Sequence, residues 1–188
     1  VTVSMWCLGK CSYTEAYVRI AGQMGGGLVA FPLFHAISDN IKMTPFGGPE
    51  FDPTDYDHAM EAFLSEFGAT LLLLWVVYIV NWEIHFGTFH YIIKQTLTAG
   101  AIRALIIYFP VAGPAMNPML ATTWAVWSAG KGYEFPTHFL HYFVYWASPF
   151  MAAIAASILY VIYAGGTIFG STLPIGPLKG KAPKAKKA

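Results

Sequence analysis

The sequence predicts an all-α membrane protein with four full crossings and two short helices that enter the bilayer without traversing it. Three observations carry this. Charged residues are only 11% of the 188 residues and hydrophobic ones 56%, whereas an ordinary globular chain is roughly 25% charged. A water-facing surface could not be covered with so few charges. Four apolar stretches approach the ~20 residues needed to span roughly 30 Å of hydrocarbon. Two further apolar runs, Val1–Leu8 and Pro118–Ser128, reach only about half that distance as helices, and the second begins at an Asn-Pro step. The formal net charge of +1 excludes a nucleic-acid partner recognised through a broad basic surface. Membrane lipid is the expected surrounding.

Residues 1–10 read as the first half-helix. The opening at Val1, with no initiator methionine, reads as a processed start or as the continuation of a preceding segment. Cys7 and Cys11 lack the spacing and the second pair of a zinc site, so buried thiols are expected. The first crossing is 11–37, where Gly22, Gly25, Gly26 and Gly27 would let another helix approach closely. An acidic loop follows over 38–58, with Asp39, Glu50, Asp52, Asp55 and Asp57 against Lys42. The second crossing, 59–81, centres on FGATLLLLWVVYIV; a connection over 82–94 leads to the third, 95–112. Pro110, Gly113, Pro114 and Pro118 forbid a continuous helix there, so 113–130 is expected to be an irregular turn leading into the second half-helix. A loop over 131–137 precedes the last crossing, 138–164.

The tail, 165–188, ends PLKGKAPKAKKA and is expected to be unstructured beyond Leu173. Its lysines place the C-terminus in the cytoplasm by charge bias, and counting back puts the acidic loop outside or in a lumen. Lys184 and Lys186 resemble the dilysine retrieval signal of endoplasmic-reticulum membrane proteins, an address read by a receptor. Otherwise the tail holds anionic headgroups.

The strongest local signal is Asn117-Pro118. Proline suits the first position of a helix, and Asn117 then places a carboxamide at its positive end. Either its N–H donors face a cavity, where they orient single-file water while the dipole opposes cations, or it is an ordinary N-cap. Glu66 and Arg103 lie within crossings and must face protein or a wet cavity. Glu66 is expected to accept from orphaned backbone N–H groups of a broken segment. Arg103 is expected to bond carbonyls or pair with an acid. Glu15 and Arg19, four apart, can pair, and Gln23 one turn deeper needs a partner on a neighbouring helix. His138 and His141 share a helical face at the mouth of the last crossing, where a partly wet interfacial role fits better than metal binding; His85 and His90 read as headgroup neighbours. No catalytic triad, metal cluster or phosphate loop is present, so an enzyme is not expected, nor any cofactor.

These residues together resemble the aquaporin (major intrinsic protein) family. GPAMNPMLATTW and HYFVYWASPFMAAIAASILY are similar to its second Asn-Pro-Ala loop and last helix, and SEFGATLLLLW to the helix whose glutamate braces a re-entrant loop. Gly22-Gln23 resembles the Ala-Gln pair of its third helix. The resemblance implies six crossings in two inverted halves, of which this chain carries a partial aquaporin fold. It also implies a passive channel for water and small uncharged solutes, in a homotetramer or a larger membrane complex. IKMTPFGGPEF and AMNPML are nearest the small basic intrinsic proteins and other unorthodox intracellular aquaporins, which implies the endoplasmic reticulum or another internal membrane. Three departures bear on selectivity. Met119 replaces the alanine of the box, Leu120 stands where the filter arginine is usual, and Leu105 stands where many water-selective members carry histidine. Pro114 occupies a third filter-lining position. An apolar constriction admits less polar solutes yet can dewet, so an aquaporin-like scaffold subunit with little transport is the alternative.

Overall fold

The computed structural model describes residues 1–41, 48–52, 54–128 and 134–179, with only the backbone of Asp39. Helix α1 is Thr2–Cys7, α2 Tyr13–Asn40 and α3 Ala59–Tyr78, the last extended by a π turn over Ile79–Glu83. A 3-10 turn, Gly87–Phe89, leads into α4, His90–Tyr108, and α5 covers Pro118–Ser128. The last long helix joins α6, Phe139–Tyr142, through a π turn at Phe143–Ala147 to α7, Ser148–Ala164. A two-stranded antiparallel hairpin follows, β1 Thr167–Ile168 and β2 Ser171–Thr172.

Among the described residues, three helices are long and apolar enough to cross a membrane: Tyr13–Ser38, Ala59–Glu83 and Phe139–Ala164, with mean hydropathies of 1.3, 2.0 and 1.7. The expected third crossing over 95–112 corresponds to the 19-residue α4, which starts earlier, at His90, and ends at Tyr108. Lys94, Gln95 and Arg103 dilute its apolar character. It stops because Pro110 disfavours helical geometry in the residue before it, and Phe109 has left the helix at φ −122°, ψ 65°. The earlier start takes in residues 90–94 of the connection expected over 82–94.

The core lies between α3 and the last helix. Ala62 and Ala69 on α3, and Ala152, Ala153 and Ala156 on α7, are at most 3% exposed, and side chains this small let two backbones approach where lipid offers no hydrophobic drive. The Ser148 hydroxyl donates to the Phe63 carbonyl at 2.7 Å across this seam. A second contact joins α2 to α5. A Cβ on Gly27 would lie 2.3 Å from Thr123 Oγ1, so only glycine fits there. At Gly22, Gly25 and Gly26 a Cβ would meet nothing within 4 Å among the described residues, so of these four glycines Gly27 is the one in close contact there.

The tail also departs from expectation. Residues 165–179 turn back under α7: Leu178 N–H donates to Ile162 O at 3.0 Å and Lys179 N–H to Tyr163 O at 2.8 Å. These donors occupy carbonyls that a helix C-terminus leaves orphaned. Lys179 also pairs with Glu83, which accepts from Tyr160. The hairpin reaches α1, where Phe169 N–H donates to Cys7 O at 2.8 Å. Lys184 and Lys186 lie outside the described residues.

Candidate functional site

After α4 the chain reverses through residues 109–117 and re-enters as α5. Gly113 supplies a positive φ of 51°, a conformation open to glycine at little cost. Met116 adopts φ 50° without that freedom, so its backbone must be held from outside. Glu66 holds it. The carboxylate, 0% exposed on α3, accepts Met116 N–H at 2.6 Å and Ala115 N–H at 3.0 Å, one on each oxygen. From the last helix, Tyr145 OH donates to Ala112 O at 2.5 Å. The polar groups of an irregular segment are thus met by a charged acceptor and a phenol, in a setting where leaving them bare costs several kcal/mol each, of order ~2–7.

Asn117 closes the reversal. Its Oδ1 accepts Met119 N–H at 3.1 Å, the N-cap arrangement, and its backbone carbonyl accepts Ala121 N–H at 3.1 Å. Its Nδ2 donates to Gln23 Oε1 of α2 at 3.1 Å, and Gln23 Nε2 donates to Thr2 Oγ1 of α1 at 3.5 Å. The same side chain therefore caps α5 and donates to α2. This polar line borders a cavity of about 350 Å³ whose walls include Ile20, Ile102, Leu120 and Phe150. α1 and α5 both present their N-terminal residues to it, Thr2 from one and Pro118 from the other.

Asn117, Pro118, Met119, Leu120 and Gln23 all line this cavity. Leu120 is 39% exposed at its rim, while Met119 is 3% exposed in its wall. Leu105 and Pro114, expected to line a filter, are not among the lining residues. Leu105 is turned toward α3 and packs with Ala69, Leu73 and Met116, and Pro114 is buried in the turn. Arg103 is a further correction. Two positions before the inward-facing Leu105, it lies ~200° round the helix, and its side chain is exposed with no acid or carbonyl partner among the described residues. Thr2, Ile102 and Phe150 went unnoticed in the sequence because nothing in their types marks them as lining.

Of the histidines, His141 is buried with Nε2 3.2 Å from Thr122 Oγ1. His138 accepts Leu140 N–H on Nδ1 at the start of α6. His85 and His90 stack at 4.7 Å between ring centroids, each accepting a backbone N–H on Nδ1. Cys7 and Cys11 are buried free thiols. Among the described residues no group of three or more His, Cys, Asp or Glu side chains is placed to hold a metal ion.

A family model described as Major intrinsic protein matches residues 1–160. No curated protein and no solved structure matches the chain.

Proposed function

The chain belongs to the major intrinsic protein family, integral membrane channels rather than enzymes, and from that premise we propose that it conducts water and small uncharged solutes. The observation that carries the reading is Asn117, whose carboxamide is fixed by Met119 N–H and Gln23 at the border of an otherwise largely apolar cavity. An amide donor at a helix N-terminus orients water while the helix dipole disfavours a cation. Leu120 removes the fixed positive charge expected at the filter, which widens the range of uncharged solutes without removing the desolvation cost of an ion. The alternative, a scaffold subunit with little transport, draws on the same apolar rim, since such a constriction dewets readily.

The test is stopped-flow light scattering on proteoliposomes of the intact protein under an osmotic gradient of an impermeant solute, then under glycerol or urea. Fast water-driven shrinkage that Asn117→Asp loses supports a water pore. A response to the uncharged solute alone moves the assignment to a solute channel, and rates equal to empty liposomes favour the scaffold. Residence in the endoplasmic reticulum, proposed from Lys184 and Lys186, is tested by replacing both with serine and following a fluorescent fusion to the cell surface. A cytoplasmic C-terminus follows from the same lysine-rich end, and protease protection of the tail in sealed microsomes checks it. Tetramer assembly, proposed from the family, is checked by mass measurement in detergent.

A further inference from the structure

We propose that Gln23 is a positioning residue for conduction: it fixes the direction in which the Asn117 carboxamide faces and adds a second amide donor to the same wall. The inference rests on the channel reading above but assigns the polarity of the site to a residue on a different helix.

A carboxamide can turn over, exchanging its acceptor oxygen for its two-donor nitrogen. What prevents this at Asn117 is a chain of hydrogen bonds with one direction. Met119 N–H can only donate, so it requires Oδ1 on its side, at 3.1 Å. Nδ2 therefore faces α2, where it finds Gln23 Oε1 at 3.1 Å. With its oxygen thus engaged, Gln23 has only Nε2 left to face Thr2, and Nε2 lies 3.5 Å from Thr2 Oγ1. A hydroxyl accepts or donates equally well, so Thr2 accommodates this polarity rather than setting it. The direction runs from the backbone of α5 through both amides to α1.

Each carboxamide has two N–H groups and uses one in this chain. The other N–H of Asn117 and the other of Gln23 have no acceptor among the described residues. Both side chains border the cavity of about 350 Å³. A permeating molecule with an accepting oxygen, water or a small amide or polyol, therefore meets two amide donors from two helices. The register between them is set four residues along α2, where Gly27 is seated against Thr123.

The experiment compares wild type, Gln23→Leu and Gln23→Glu in the intact protein. Stopped-flow water flux per channel is one readout; solid-state NMR of ¹⁵N-asparagine-labelled protein is the other. The given residues include Asn40, Asn81 and Asn117, and the Asn117 side-chain amide is assigned by its loss in Asn117→Asp. Gln23→Leu is expected to shift and broaden that signal and to lower flux about fivefold, the weight of one hydrogen bond. Gln23→Glu keeps an acceptor for Nδ2, so its Asn117 signal stays sharp while the second donor is lost. An Asn117 signal that remains sharp and unshifted in Gln23→Leu overturns the proposal. If Gln23→Leu fails to fold, a broadened Asn117 signal in Gln23→Glu overturns it instead. Wild-type flux equal to empty liposomes sinks the channel reading, and with it the role in conduction, whatever the spectra show.

Discussion

The two short helices border the same cavity but are held in place by different means. At α5 the segment ahead of the helix is held by a buried carboxylate, Glu66, on two adjacent backbone N–H groups. Helix α1 is held by neutral groups: Ser4 Oγ lies 2.6 Å from Tyr78 OH, Tyr78 OH lies 3.4 Å from Ser157 Oγ, and Phe169 N–H meets Cys7 O. Aromatic rings pack around these, Tyr78 stacking on Trp82 at 5.1 Å and lying 4.8 Å from Tyr160. The difference follows from what each must satisfy. A strained turn with orphaned donors needs a strong acceptor, and a charge-assisted hydrogen bond is roughly twice as strong as a neutral one. A regular helix needs only its flank and its last carbonyl met, and hydroxyls with ring packing suffice.

The largest expected effect comes from breaking the charged brace. Glu66→Ala leaves Ala115 and Met116 N–H buried and bare and releases a left-handed Met116. A loss of about 3–5 kcal/mol is expected, read as a fall in thermal denaturation temperature in detergent. Glu66→Gln, which keeps one acceptor oxygen, should recover part of it.

Next comes the seat of α5 on α2. Gly27→Val forces a side chain into Thr123 and should cost about 1–3 kcal/mol. Gly25→Val, in open space, should stay within about 0.5 kcal/mol of wild type. Equal losses at the two sites would show that the α2–α5 contact has been misplaced.

The neutral support should yield less. Tyr78→Phe keeps the ring and removes the hydroxyl shared with Ser4 and Ser157, for a cost of about 1–2 kcal/mol. A loss as large as that of Glu66→Ala would erase the contrast between the two helices.

The smallest effect lies in the acidic loop. The Asp55 carboxylate, hydrogen-bonded to His58 at 2.8 Å, raises the imidazole above its ordinary range, and that bond lowers Asp55. A raised histidine contributes fully below the ordinary imidazole pKa and fades as pH rises through the raised value. A lowered carboxylate contributes fully above the usual carboxylate range and is lost as pH falls through the lowered value. The pair is therefore complete between those limits. Asp55→Asn should move the His58 titration, followed by NMR, downward with no measurable change in stability.

The parts of the site legible in sequence are those where residue type forces the answer. A glutamate within an apolar helix must accept from something, and Asn-Pro after a run of helix breakers must start a new helix. Gln23 was legible as needing a partner, though not as touching Asn117, because that contact depends on the angle between α2 and α5. Arg103, expected to find carbonyls or an acid, is exposed on α4 without either among the described residues, whereas Leu105, placed at the filter by resemblance, packs toward α3. Position in the chain fixes depth in a helix, but which face points inward depends on neighbours, and α4 has too little polar contrast to declare its face. The hairpin was hidden by composition, since Gly, Pro and Lys mark loops well whether or not their backbone finds partners.

The support of α1 has a consequence in time. Ser157 Oγ reaches the Ser4 carbonyl, 153 residues away at 3.5 Å, and the Cys7 carbonyl waits for Phe169 in the hairpin. A ribosome supplies those partners only after every other helix described here has been made. During synthesis α1 meets Gln23 of α2 and Tyr78 of α3 before Ser157 and Phe169 exist, and it is locked last, by the arrival of α7 and then of the hairpin. Contacts of such long sequence separation form slowly. Truncation before residue 165, which keeps α7 but removes the hairpin, should leave the other helices assembled and the C-terminal end of α1 loosened, so an exposed Cys7 reporting to a thiol reagent would time the final step of assembly.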